Sequence, residues 1–191
     1  MNKIIGILGM QGAIAEHQEI LLQIPHTKTR IVKTAKDLDY IDGLILPGGE
    51  STAIGKLLDY FSLKEILQQK IISGLPVFGT CAGLILLAKN IENQTNTHLA
   101  TMDITVKRNG YGSQLDSFST NLLIPTIDKN MPIPLVFIRA PYITKTGKDV
   151  QILATLDNKI IAARQKNMLV SSFHPELTCD LRFHQYFLSM I

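Results

Sequence analysis

The sequence predicts an α/β fold: a three-layer open mixed sheet with a parallel core and an antiparallel extension. Two patterns carry that prediction. In the first half, short apolar runs alternate with amphipathic stretches, the rhythm of βα units on a parallel sheet buried on both faces. In the second half the segments become short and strand-like, separated by turns such as Lys-Thr-Gly-Lys and Leu-Asp-Asn-Lys. At 191 residues the chain is long enough to bury a substantial core as one domain, residues 1–191.

Lys3–Gly9 reads as the first strand. Its apolar run also invites comparison with a signal peptide, but it spans only about seven residues and no small-residue cleavage site follows. Ala13–Gln23 is then a helix, Lys28–Lys33 a strand and Gly43–Leu46 another. Ser51–Asp59 and Leu63–Ile72 read as helices, and a Gly-Leu-Pro turn leads into strand Val77–Gly79 and helix Ala82–Ala88. Beyond them "MDITVKR", "LVFIRA", "VQILATL", "KIIAARQ" and "NMLVSSF" form an antiparallel extension or meander joined to the sheet, and Leu181–Met190 is a closing helix. Ligands of open α/β sheets bind at the carboxyl ends of strands, so the strand-to-loop junctions are where chemistry is expected.

Composition narrows the classes. Hydrophobic residues make up 46% and charged residues 18%, which suits a compact globule and argues against disorder. A net charge of +3, without a Lys/Arg cluster, gives nucleic acid no phosphate track. No run approaches the ~18 apolar residues of a membrane-spanning helix. Two cysteines far apart make no disulfide framework, so the expected setting is the reducing cytoplasm, where each is judged as a thiol.

One of them is framed for chemistry. Gly79-Thr80-Cys81-Ala82-Gly83 has the form G-x-nucleophile-x-G between a predicted strand and a predicted helix, the setting of a nucleophile elbow. A sharp turn with small flanking residues lifts its central side chain above the sheet and onto a helix N-terminus. There the dipole and free N–H groups favour thiolate, and the N–H of Ala82 can face a developing oxyanion. The competing reading is a buried core thiol. Cys179, in "ELTCDLRFH", lacks such a frame and reads as a bland thiol.

A thiolate nucleophile needs a base. His17, His26 and His98 lie in helix or polar-loop contexts and read as exposed, and His184 falls in the closing helix. His174 ends a strand and opens His-Pro-Glu. The proline pushes it into extended geometry, where residues i and i+2 share a side. Glu176 can then fix one imidazole nitrogen and leave the other for the thiol. Cys81, His174 and Glu176 thus form a candidate triad, weighed against a strand-end histidine with no role.

Pro47-Gly48-Gly49-Glu50-Ser51-Thr52 follows a strand and precedes a helix. Its glycines let backbone approach a ligand, and the N–H of Gly49 can complete an oxyanion hole with Ala82. Ser51 or Thr52 as a plain helix cap is the competing reading. Arg108 and Arg139 sit at predicted strand ends and offer planar forks suited to a carboxylate, against the alternative of solvated surface charge.

These motifs carry a resemblance. "GTCAG" with "HPE" resembles the class I glutamine amidotransferases, which implies a flavodoxin-like α/β fold with a Cys–His–Glu triad. "GILGMQGAIAEH", "LILPGGEST", "RNGYGSQLDSF", "VFIRAP" and "SFHPELTCDLRFHQYF" narrow it to the glutaminase-subunit family of the pyridoxal 5′-phosphate synthases, over nearly the whole chain from Ile4. The resemblance implies that Cys81 is nucleophile, His174 general base and acid, and Glu176 its orienter. It assigns Gly48, Gly49, Glu50, Arg108, Ile138 and Arg139 to L-glutamine, and the Gln11-Gly12-Ala13 loop to the side that meets the synthase. Tyr111 stands where many relatives have Phe. The implied reaction yields glutamate and ammonia, needs neither metal nor organic cofactor in this chain, and passes ammonia to the synthase subunit within a large hetero-oligomer.

Two other readings remain at this point. One is a glutaminase serving another pathway, such as histidine or purine synthesis, or a γ-glutamyl hydrolase. The other is a non-catalytic binding subunit on the same fold, against which the intact Cys81, His174 and Glu176 speak.

Overall fold

The computed structural model describes residues 2–110 and 117–191. Along it run β1 (Lys3–Leu8), α1 (Ile14–Leu22), β2 (Thr27–Val32), β3 (Gly43–Leu46), α2 (Ser51–Tyr60), α3 (Lys64–Ile72), β4 (Val77–Thr80) and α4 (Ala82–Leu87). There follow β5 (Ala88–Ile91), β6 (Met102–Lys107), β7 (Ser117–Leu122), β8 (Ile133–Ile138), β9 (Tyr142–Thr146), β10 (Gln151–Leu156), β11 (Lys159–Gln165), β12 (Met168–Ser171) and α5 (Arg182–Leu188). Short 3-10 helices occupy Ala35–Tyr40 and Pro175–Leu177.

Among the described residues, ten strands form a mixed sheet in the order β2-β1-β3-β4-β12-β11-β9-β6-β5, with β10 paired to β11. From β2 to β12 the neighbours run parallel. β3 and β4 are short and buried throughout, so their apolar runs are continuous rather than alternating. Successive side chains point to opposite faces. Leu44, Leu46, Val77 and Val170 join Ile54, Leu58, Leu67 and Leu84 of α2, α3 and α4. Ile45, Phe78 and Leu169 join Leu21 of α1 with Phe183 and Phe187 of α5. This is the expected three-layer arrangement with a parallel core.

Two segments fall elsewhere than expected. "NMLVSSF" holds β12, which lies inside the parallel core rather than in the extension, parallel to β4 and antiparallel to β11. Its residues are buried on both faces, which an interior position requires. "LVFIRA" holds β8, which pairs with β7 in a separate two-stranded ribbon instead of joining the sheet. One face alone of β8 is fully buried, as suits a ribbon laid over a core. Phe137 from that face stacks on Phe118 at 4.6 Å and meets the edge of Phe173 at 5.8 Å. Helix α4 also stops one residue short of its expected end, because Ala88 opens β5.

No helix among the described residues is long and apolar enough to cross a membrane.

Candidate active site

Strands β1, β3, β4 and β12 are parallel neighbours, so their carboxyl ends line one edge. The turns leaving that edge carry Gln11, Gly48–Glu50, Cys81 and His174 in turn. Cys81 sits between β4 and α4 with φ 47° and ψ −96°, a conformation held only because the surroundings impose it. Its N–H donates to Ser171 O at 2.8 Å, which ties the turn to β12. The flanking glycines are steric necessities: a Cβ on Gly79 would lie 2.6 Å from the Gly83 carbonyl, and one on Gly83 would strike Leu46 O.

His174 and Glu176 do meet, but not along an extended chain. Pro175–Leu177 curls into a 3-10 turn, and His174 opens it with φ −107° and ψ 85°. The curl still returns Glu176 beneath the imidazole, and His174 Nδ1–H donates to Glu176 Oε1 at 2.7 Å. His174 N–H donates to Val136 O at 2.8 Å, so β8 steadies the turn. Burial opposes a charge on His174, but hydrogen bonds to Cys81 and Glu176, with their negative charge, outweigh it and raise its pKa to about 10. Burial likewise pushes the Glu176 carboxyl up, while the imidazoles of His17 and His174 hold it below its usual range.

The Gly48–Glu50 turn closes on this pair. A Cβ on Gly48 would lie 2.5 Å from His174 Cε1 and 3.6 Å from Cys81 Cβ. Gly48 O accepts from Ala13 N–H at 3.0 Å, and Gln11 Oε1 accepts from Glu50 N–H at 2.8 Å. The Gln11–Gly12 loop is therefore latched to the turn, and Gly12 takes φ 113° directly beneath the Gly48 carbonyl. Neither Ser51 nor Thr52 caps α2; Glu50 does, accepting from the N–H groups of Thr52 and Ala53. Partial burial raises that carboxyl, yet those N–H groups and Arg108 hold it below its ordinary value.

Gln11, Gly49, Glu50, Cys81, Ala82, Arg108, Ile138, Arg139 and His174 line one cleft of about 500 Å³. The Arg108 guanidinium donates to Glu50 Oε1 and Thr52 Oγ1, each at 3.2 Å. Arg139 turns the chain out of β8 with φ 43°. Glu176 lies behind His174, Gly48 and Gly12 beneath the turns. Cys179 is an exposed thiol that does not line the cleft. Tyr111, with the following residues to 116, lies outside the described residues.

Two histidines depart from the sequence reading: His17 is wholly buried and His98 half-buried, where both read as exposed. His184 lies in the closing helix as expected and is wholly buried there. His17 Nε2 lies 3.5 Å from Glu176 Oε2 and 3.1 Å from Thr80 Oγ1, while its Nδ1 is 3.0 Å from His184 Nε2. Helical spacing was the available signal. His17 shares a stripe with Ile14 and Leu21, and His184 stands beside Phe183, four residues before Leu188. His98 is half-buried against Gly55, whereas His26 is exposed as expected.

A strained thiol between strand and helix, with a His–Glu pair in the turn after the neighbouring parallel strand, is the arrangement of the class I glutamine amidotransferases. The model of the SNO glutamine amidotransferase family matches residues 7–191, and the chain belongs to that family. A protein of Ruminiclostridium cellulolyticum described as pyridoxal 5′-phosphate synthase subunit PdxT is 53% identical over 99% of this chain and 100% of its own length. One of Carboxydothermus hydrogenoformans with the same description is 54% identical over 98% of this chain and 97% of its own. A crystal structure of a glutamine amidotransferase superposes with a TM-score of 0.90 at 39% identity, covering 97% of each chain. PurLQS from Thermotoga maritima, at 14% identity and a TM-score of 0.72, shares the fold alone.

Proposed function

We infer that residues 1–191 act as one glutaminase domain, the glutamine-hydrolysing subunit of a pyridoxal 5′-phosphate synthase. The observation that carries this is the convergence of Cys81, His174 and the Gly49–Glu50 turn on one cleft, in a chain more than half identical to full-length PdxT proteins. Glutamine enters with its side-chain amide against Cys81 and its α-groups toward Glu50, Arg108, Ile138 and Arg139. The Cys81 thiolate adds to the amide carbon, and the N–H groups of Ala82 and Gly49 receive the oxyanion. His174, protonated at neutral pH because its pKa stands at about 10, gives its proton to the departing ammonia. The imidazole then takes a proton from water, whose hydroxide cleaves the γ-glutamyl thioester to glutamate and restores the Cys81 thiolate beside protonated His174.

The ammonia passes to the synthase subunit in a hetero-oligomer, with the Gln11–Gly12 loop on the docking side. Two unpaired thiols suit a cytoplasmic setting. The test is ammonia and glutamate release from L-glutamine, with and without the synthase subunit. Glutamine-dependent ammonia that vanishes in Cys81→Ala is the expected result. Its absence in both conditions, or equal release by Cys81→Ala, overturns the assignment; release without pyridoxal 5′-phosphate formation by the pair moves the subunit to another pathway.

A further inference from the structure

Behind the triad, on the α1 face of the sheet, lies a polar group of side chains that the reaction above does not use. His17 of α1 and His184 of α5 are both fully buried, in an apolar layer that includes Phe78, Phe183 and Phe187. The His17 ring meets Phe78 edge-on at 6.5 Å. An imidazole in such surroundings is costly unless its ring nitrogens find partners.

His17 has partners on both sides. Its Nδ1 faces His184 Nε2 at 3.0 Å, and its Nε2 faces Thr80 Oγ1 at 3.1 Å and Glu176 Oε2 at 3.5 Å. Among the described residues, Glu176 Oε2 and His184 Nδ1 lack hydrogen-bond partners. Those two atoms decide the tautomers. A proton on His184 Nδ1 would be a buried N–H with no acceptor, whereas a bare lone pair there is the cheaper omission. His184 therefore carries its proton on Nε2 and donates to His17 Nδ1. The proton of His17 is left on Nε2, turned toward Thr80 and Glu176. The opposite tautomer would aim a lone pair at a carboxylate oxygen. Burial keeps both rings neutral, with His184 held well below the ordinary histidine value.

We propose that His17 is a positioning residue for glutamine hydrolysis: held in its Nε2–H tautomer by His184, it steers the second oxygen of Glu176 and so fixes the carboxylate that aims His174 at Cys81. This rests on the glutaminase reading. A carboxylate gripped through one oxygen can pivot about its last carbon–carbon bond, and an N–H dipole facing the other oxygen removes that freedom. Thr80 immediately precedes Cys81, so the same N–H also ties His17 to the strand that carries the nucleophile. The titratable groups around His17 are His184 from α5, Glu176 and His174 from the turn after β12, and Glu16 on its own helix; β4 presents the Thr80 hydroxyl.

The test compares His17→Leu, which removes the donor, with His17→Gln, whose amide keeps an N–H at similar reach. In the complex with the synthase subunit, His17→Leu is expected to lower kcat for ammonia release about tenfold, part of the ~10²–10⁴ that a positioned acid–base supplies. KM for glutamine stays within about twofold, the sign of a loss confined to the transition state. The alkaline limb of kcat moves to lower pH, because a loosened Glu176 holds the His174 proton less firmly. His17→Gln recovers most of both. The second readout needs no partner and no turnover: the pH midpoint for alkylation of Cys81 by iodoacetamide, followed on its own peptide by mass spectrometry. That midpoint rises in His17→Leu and returns in His17→Gln. If His17→Leu does not fold, His184→Leu, which frees the His17 tautomer, is expected to shift the same readouts in the same direction. A ring that merely fills space would lower Tm yet leave kcat per folded molecule, pH limb and alkylation midpoint unchanged, and that result overturns the proposal. Should the parent release no ammonia with its partner, the glutaminase reading fails while the alkylation midpoints still decide the role of His17.

Discussion

On one side of β11 the strands run parallel, and on the other they are antiparallel, save β5 beside β6, or pair off in a ribbon. In the parallel half, β1, β3, β4 and β12 all finish at one edge, and each hands over to a turn carrying a group aimed at the cleft. In the other half, β6 and β8 reach the same cleft, but they bring Arg108, Ile138 and Arg139, the side chains proposed to hold glutamine rather than react with it. Direction explains the difference. Parallel neighbours gather their carboxyl ends automatically, whereas antiparallel strands send every second end away. On the proposed function the reacting groups all come from the parallel half, with Glu50 beside them for binding, and the antiparallel half serves binding alone.

That division can be broken experimentally. The largest effect is expected from Cys81→Ala, about 10⁴-fold or more in kcat, since loss of a nucleophile leaves little besides binding. Gly48→Ala comes next. Its Cβ would sit 2.5 Å from the His174 ring, and displacing that ring by a few tenths of an ångström or more is expected to cost about 10²-fold in kcat. Overpacking of the same turn should lower stability by about 1–3 kcal/mol, read by chemical denaturation. Glu176→Gln is expected to lower kcat by a similar or smaller factor, and its pH profile is the sharper test. His174 is raised to about 10, so it keeps its proton through neutral pH and loses it as pH climbs through that value. Without the carboxylate one raising influence goes, and the alkaline limb of kcat should fall to lower pH. The smallest effect belongs to the antiparallel half: Arg108→Ala is expected to raise KM for glutamine about tenfold with kcat nearly unchanged. A fall in kcat matching that of Glu176→Gln would dissolve the division.

Much of this was legible in the residues, for uneven reasons. Cys81 announces itself because Gly79 and Gly83 are required by close backbone contacts, and such contacts leave a local mark. His174 and Glu176 were paired correctly but along the wrong path: Pro175 excluded a regular helix at His174, yet a 3-10 turn brings the two together as well as an extended chain does. β12 was misplaced because an apolar tetrapeptide looks alike in any buried strand; its partner is decided by tertiary packing. β7 was missed since its inner face, Phe118, Thr120 and Leu122, is only half-buried and includes a polar residue, which weakens the apolar alternation that marks a strand. His17 was misjudged for a related reason, a polar residue on an apolar stripe being read by its polarity rather than its position.

The pairing of β4 with β12 has a consequence for how the protein is made. Thr80 is in register with Ser171, so the thiol and the imidazole are neighbours across a sheet and distant along the chain. A ribosome releases the elbow long before the strand that carries its base. Closing so long a loop is the kind of late, non-local event that sets the pace of α/β folding. Until that strand is seated beside β4, the emerging chain carries Cys81 without His174 beside it. The thiol is thus paired with its base only where β12 is seated beside β4.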